Sequence, residues 1–127
     1  MPDLTENALT KVSATTVAFN AVAATTLYTT PPGKLFIPIL AIVRSGADAG
    51  ETDVTFGRVG ALTDWLGTIA LDNLDADGDQ VLIMPVPAAT PVKLKTYAAG
   101  IVFQIDVTVA NGGATNKVDL FGFLIDV

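Results

Sequence analysis

The densest run of oxygen-bearing side chains is Asn73-Leu74-Asp75-Ala76-Asp77-Gly78-Asp79. Oxygen ligands at alternate positions, with glycine sixth, follow the first half of an EF-hand calcium loop, where a hard cation gathers carboxylates and carbonyls. The candidate metal ligands are therefore Asn73, Asp75, Asp77 and Asp79. The second half of that motif is missing. Its bidentate glutamate would fall at Met84, inside an apolar run. Half a calcium motif is a weak match, and the preferred reading is an Asp/Gly hairpin loop in which the same residues serve turn geometry. The expectation is a loop without a cofactor, with Ca²⁺ as the one cation the pattern would suit. Two further constellations have chemical meaning. Asp64, Asp72 and Asp75 would supply paired carboxylates of the kind glycoside hydrolysis uses, although nothing in their spacing favours convergence. Trp65, Tyr28 and Tyr97 would form a sugar-stacking platform if exposed, and ordinary core if not.

The rest of the catalytic inventory is absent. The chain has no histidine and no cysteine, which removes the commonest general base, the common nucleophile pairs and the usual zinc ligands. Serine occurs only at Ser13 and Ser45, neither within a Gly-x-Ser-x-Gly elbow. The expectation is a protein that is not an enzyme. Net charge is −6, and the seven basic residues are scattered from Lys11 to Lys117. Nucleic-acid binding, which needs a basic stripe to neutralise phosphates, is not expected. Membrane insertion is not expected either, because no apolar run approaches the ~20 residues a spanning helix needs. The start, Met1-Pro2-Asp3-Leu4-Thr5-Glu6, has neither the basic nor the apolar region of a signal peptide, so nothing in it directs secretion.

Hydrophobic residues make up 50% of the 127 and charged residues 16%, against a usual charged fraction of about 25%. Such a chain has ample apolar surface for one core. Residues 1–14 show little periodicity and read as an extended N-terminal arm. Residues 15–127 read as a single domain of short strands. Thr15 to Val22 puts Val17, Phe19 and Ala21 on one side, and Thr25 to Thr29 is β-branched and aromatic. Thr30-Pro31-Pro32-Gly33-Lys34 is a tight turn, since proline presets its first central dihedral and Gly33 takes the positive φ that follows. Leu35 to Arg44 is almost continuously apolar, with Pro38 marking an edge or a bulge. Thr52 to Val59 alternates. A loop is expected to about Asp64, then strands over Trp65 to Leu71, Gln80 to Val86 and Val92 to Thr96, with the acidic loop Asp72 to Asp79 between the first two. Ile101 to Val109 alternates most regularly, and a period of two over that length belongs to a strand. Lys117 to Ile125 is apolar on both sides, as a central strand or one against another subunit would be. The predicted class is all-β: an antiparallel β-sandwich, jelly-roll-like.

Three segments carry a family resemblance. Leu27-Tyr28-Thr29-Thr30-Pro31-Pro32-Gly33-Lys34, the loop and strand Ser45-Gly46-Ala47-Asp48-Ala49-Gly50-Glu51-Thr52-Asp53-Val54-Thr55-Phe56-Gly57, and the ending Val118-Asp119-Leu120-Phe121-Gly122-Phe123-Leu124 resemble small virion proteins of tailed bacteriophages. The similarity runs from about Leu27 onward, and residues 1–26 match nothing in it. It implies a capsid decoration or cement protein, made in the host cytoplasm and seated on the virion exterior, with the major capsid protein as partner. It also implies a homo-oligomer, a trimer or dimer, with no catalytic residues. A fibre or tail tip, or a carbohydrate-binding module with or without Ca²⁺, is the alternative. The contacts expected to carry assembly are Leu4, Leu9 and Val12 of the arm, Leu35 and Ile37 of the long apolar strand, and Phe121 and Phe123 of the last one.

Overall fold

The computed structural model describes residues 8–86 and 88–127. Nine strands occur among them and no helix: β1 (Thr10–Val17), β2 (Ala24–Thr29), β3 (Lys34–Arg44), β4 (Asp53–Arg58), β5 (Ala61–Ala70), β6 (Gln80–Ile83), β7 (Tyr97–Ala98), β8 (Val102–Val109) and β9 (Asn116–Asp126). They form two antiparallel sheets. Sheet A runs β1-β9-β3-β6, with the two-residue β7 also on β3, and sheet B runs β2-β8-β4-β5. The β-sandwich expected from the period-two segments is thus the fold.

The alternation in β8 decides the packing. Phe103, Ile105 and Val107 are buried, while Gln104 and Asp106 are paired with Thr26 and Ala24 on the opposite, outward face. From sheet A, Phe36, Ala41, Val43, Val118 and Leu120 meet them. Phe103 sits at the centre of an aromatic cluster, with ring centroids 5.6 Å from Trp65, 5.5 Å from Tyr97, 6.2 Å from Phe36 and 6.4 Å from Phe56. Those separations suit edge-to-face and offset contacts.

Connections alternate between the two ends of the sandwich. The β1–β2, β3–β4, β5–β6 and β8–β9 loops share one end, and the β2–β3 and β4–β5 turns, the 84–96 segment and the 99–101 turn share the other. At the second end the Pro31–Lys34 turn closes with a bond from Lys34 N–H to the Pro31 carbonyl, and Gly33 has φ 74°, as a type II turn with proline second and glycine third requires.

Several boundaries differ from the sequence reading. The first strand lies at Thr10–Val17 rather than Thr15 to Val22, so residues 10–14 of the expected arm are paired with β9. Val17 is its last member, and Phe19 reaches the core from the loop that follows. The loop expected before Asp64 is instead the first half of β5, because Val59-Gly60 makes a two-residue hairpin with Gly60 at φ 86°. β6 stops at Ile83, and Val92 to Thr96 is not a strand. Pro85 and Pro91 lack the N–H that a ladder needs, and the segment crosses the open edge of the sandwich instead. Pro38 is at a bulge, not an edge. It opposes Gly122 of β9, the register slips between Pro38 and Leu40, and on its other side β3 changes partner from β7 to β6. The missing donor therefore falls in a gap.

Candidate assembly surface

The acidic run does not gather a cation site. Among the described residues no group of three acids is placed to hold a metal. Asn73, Asp75 and Asp77 are exposed. Asp79 Oδ2 accepts the Ala76 N–H at 3.0 Å, which closes the turn around Gly78. Leu74 is buried, and its carbonyl accepts the Ala49 N–H at 2.6 Å. Ser45 Oγ donates to the Ala76 carbonyl at 2.7 Å. The loop is thus held to its neighbour through its backbone and Ser45, and internally by Asp79. Asp64 and Asp72 do not converge either. Asp64 lies near the start of β5 and Asp72 beyond its end, a separation of roughly 20 Å at strand rise, well beyond what a pair of glycosidase carboxylates spans.

Asp64 belongs instead to a cluster at the other end of the molecule. Tyr97 Oη donates to Asp64 Oδ2 at 2.9 Å, Lys95 Nζ lies 3.2 Å from Asp64 Oδ1, and Arg58 and Lys93 line the same pocket of about 430 Å³. Burial alone would raise the Asp64 carboxyl. The Tyr97 and Lys95 hydrogen bonds and the charges of Lys95 and Arg58 outweigh it and hold the group below its usual range. Burial, and then the bond to Asp64, push the Tyr97 hydroxyl far above its ordinary value. At neutral pH one group stays ionised and the other protonated, so neither is poised to exchange a proton. The pair acts as a clasp between β5 and β7.

The aromatic platform is core. Trp65 and Tyr97 are buried and Tyr28 is half-buried, with its ring 5.0 Å from Phe36. No stacked, exposed pair is left for a sugar.

The surface that stands out is the outer face of sheet A. Pairing places Leu35 beside Ile125, Ile37 beside Phe123, and Leu40 beside Phe121, all on the side away from the core. Ile42 continues the tract toward Asp119, Leu82 of β6, 60% exposed, flanks it on one side, and Lys11 of β1 stands beside Phe121 on the other. The apolar side chains of β3 and β9 on this side are half-buried by one another. No strand layer of the described residues lies over the tract. The outer face of sheet B has the opposite character. There Thr26, Gln104 and Asp106 lie side by side, with Gln104 Nε2 donating to Thr26 Oγ1 at 3.1 Å, while Thr55, next to Asp106 on β4, is buried. No family model, curated protein or solved structure matches the chain. The contrast between its two faces is therefore the feature from which a role must be argued.

Four of the expected contact residues, Leu35, Ile37, Phe121 and Phe123, share this face. Leu9 is 48% exposed just before β1. Val12 is not available. It occupies the β1 bulge between Lys11 and Ser13 and packs against the core. Leu4 lies outside the described residues.

A second apolar surface escaped the sequence reading. Met84, Val86, Val92 and Leu94 are exposed on the 84–96 segment, Val86 at 87% and Val92 at 80%. Together with Pro38, Ile39 and Trp65 they line a groove of about 450 Å³ at the sandwich edge. The signal was the clustering of Pro85, Pro87 and Pro91 within an apolar stretch, which removes ladder donors while leaving large side chains to be placed.

Proposed function

We propose that this chain is a non-enzymatic structural protein that decorates and cements an icosahedral phage capsid from outside, bridging neighbouring capsomers. The observation that carries the reading is the apolar outer face of sheet A, set against a polar outer face on sheet B. A soluble sandwich ordinarily turns polar residues outward on both sheets, and an extended apolar face is a surface for a protein partner. Bridging needs two contact surfaces on one molecule, and the exposed 84–96 segment supplies the second. The strand order adds support. With the short β7 set aside, the first strand pairs with the last and the chain crosses between sheets as in two interlocked Greek keys, the jelly-roll arrangement found in capsid domains. Because one fold hosts many functions, the setting itself rests on the resemblance of the Leu27–Lys34, Ser45–Gly57 and Val118–Leu124 segments.

The test is sedimentation of the purified chain with phage heads assembled without it. Saturable binding is expected at a copy number set by the capsomers. A charge placed in either apolar surface, Phe123→Glu or Val92→Asp, should weaken binding about tenfold or more, because the buried charge would lack a partner. Absence of binding, or binding only to tails, would overturn the reading.

A further inference from the structure

The charges are segregated along the strand axis. Asp48, Glu51, Asp72, Asp75, Asp77 and Asp79 all sit in loops at one end of the sandwich, and Arg58, Lys93 and Lys95 lie at the other with Asp64 among them and the Lys34–Asp126 pair nearby, which leaves that end with basic residues in excess. On the outer face of sheet A, Arg44 and Lys117 are neighbours at the acidic-loop end, Lys11 stands at the β1 edge beside Phe121, and the opposite end is apolar, with Leu35 beside Ile125. β3 contains 11 residues. β9 matches that length, whereas β1 has 8 residues and β6 has 4. At about 3.3 Å per residue and about 4.8 Å between strands, two such faces in contact bury on the order of 1,100 Å², just above the ~1,000 Å² that a specific interface needs.

We infer that the occupant of this face is a second copy of the chain, packed sheet A on sheet A about a two-fold axis perpendicular to the strands, so that the two copies run antiparallel. A two-fold parallel to the strands would set Arg44 and Lys117 against their own copies and acidic loops beside acidic loops, and like charges in register oppose association. The perpendicular axis removes both conflicts. It places the acidic loops of one copy beside the Arg58, Lys93 and Lys95 end of the other. It also stacks the Leu40–Phe121 and Ile37–Phe123 pairs near the axis, where a self-complementary interface meets itself. In such a dimer sheet A serves self-association, and the two copies of the 84–96 segment, one from each chain, are the surfaces left to bridge capsomers; Phe123→Glu then weakens capsid binding by removing one of the two. The inference rests on the reading of this face as an assembly surface.

The chain has no cysteine, so single cysteines report geometry without background. Leu35→Cys and Ile42→Cys should each stay uncrosslinked alone and form a disulfide-linked dimer when mixed, because Leu35 of one copy lies over Ile42 of the other. Sedimentation velocity on the unmodified chain should show a dimer that weakens at least tenfold in Phe123→Glu, with circular dichroism confirming that the variant is folded. A monomer at every concentration would overturn the inference, as would a trimer, self-crosslinking of Leu35→Cys, or a dimer indifferent to Phe123→Glu. The capsid test is read separately. Heads that bind a monomeric chain sink the dimer and leave the decoration role standing, whereas a dimer that ignores heads does the reverse.

Discussion

Asn116 is the residue that ties the loop end together. It is buried, its Nδ2 donates to the Val17 and Gly113 carbonyls at 2.9 Å each, and its Oδ1 accepts the Gly46 N–H at 3.0 Å. One amide thus joins the β1–β2, β3–β4 and β8–β9 connections. Asn116→Ala should destabilise the fold by about 2–3 kcal/mol in urea titration, because it strands buried backbone groups as well as removing bonds. Asn116→Asp should be no better, since a carboxylate accepts but cannot donate to the two carbonyls. The Asp64–Tyr97 clasp sets a pH dependence. The Asp64 carboxyl is held below its unfolded value of 3.8, so its contribution is complete above that value and is lost as pH falls through the lower folded-state value. Between pH 6 and pH 3, Asp64→Asn should therefore lose less stability than the parent chain. An equal loss in both would show that the carboxylate contributes nothing.

At the scale of elements, the close pairing of β3 and β9 depends on Gly122. A Cβ there would collide with the Ile37 carbonyl oxygen and lie 2.6 Å from the Phe36 ring. Gly122→Ala should cost about 3 kcal/mol through overpacking, read as a lower thermal midpoint. Gly33 is different in kind. Space around it is open, but its φ is 74°. Gly33→Ala should cost about 1–2 kcal/mol of backbone strain without a clash. The acidic loop is an element held by its own hydrogen bonds through Ser45, Ala49, Ala76 and Asp79. EDTA should leave the thermal midpoint unchanged. A fall of several degrees, reversed by Ca²⁺, would return Asn73, Asp75, Asp77 and Asp79 to the role of ligands.

At the scale of the whole molecule, polarity across the sandwich and polarity along it act together. One sheet faces outward with threonine, glutamine and aspartate, the other with a leucine, isoleucine and phenylalanine tract bounded by Lys11, Arg44, Lys117 and Asp119. The loop end is acidic and the turn end carries a basic cluster. Apolar burial would supply the affinity of any partner on sheet A, and the end charges its orientation and approach rate. Raising salt from about 0.05 to 0.5 M, which shortens the screening length to a few ångströms, should slow self-association more than it speeds dissociation. A salt-independent association rate would remove the charges from the account.

The class of fold was legible along the chain because alternation is local. Ile101 to Val109 could be read without its neighbours, and β8 follows it almost residue for residue. The Pro31–Lys34 turn was equally local, since its dihedrals belong to proline and glycine themselves. The apolar sides of Leu35 to Arg44 and Lys117 to Ile125 were visible too, including the grouping of Phe121, Phe123 and Ile125. Three other features depended on long-range placement. Only the tertiary structure shows that Phe121 and Phe123 share an outward, half-buried face with Leu35 and Ile37, because register between β3 and β9 is set across some eighty residues of chain. Trp65, Tyr28 and Tyr97 left both a platform and a core open, with core the commoner fate of a lone Trp, until the structure set Trp65 and Tyr97 against Phe103 and Tyr28 against Phe36. Asp64 and the acidic run were one group in the sequence and lie at opposite ends of the molecule, because β5 carries one carboxylate away from the others. Composition and period are properties of a segment. Which faces remain uncovered, and which charges become neighbours, are properties of how the segments pair.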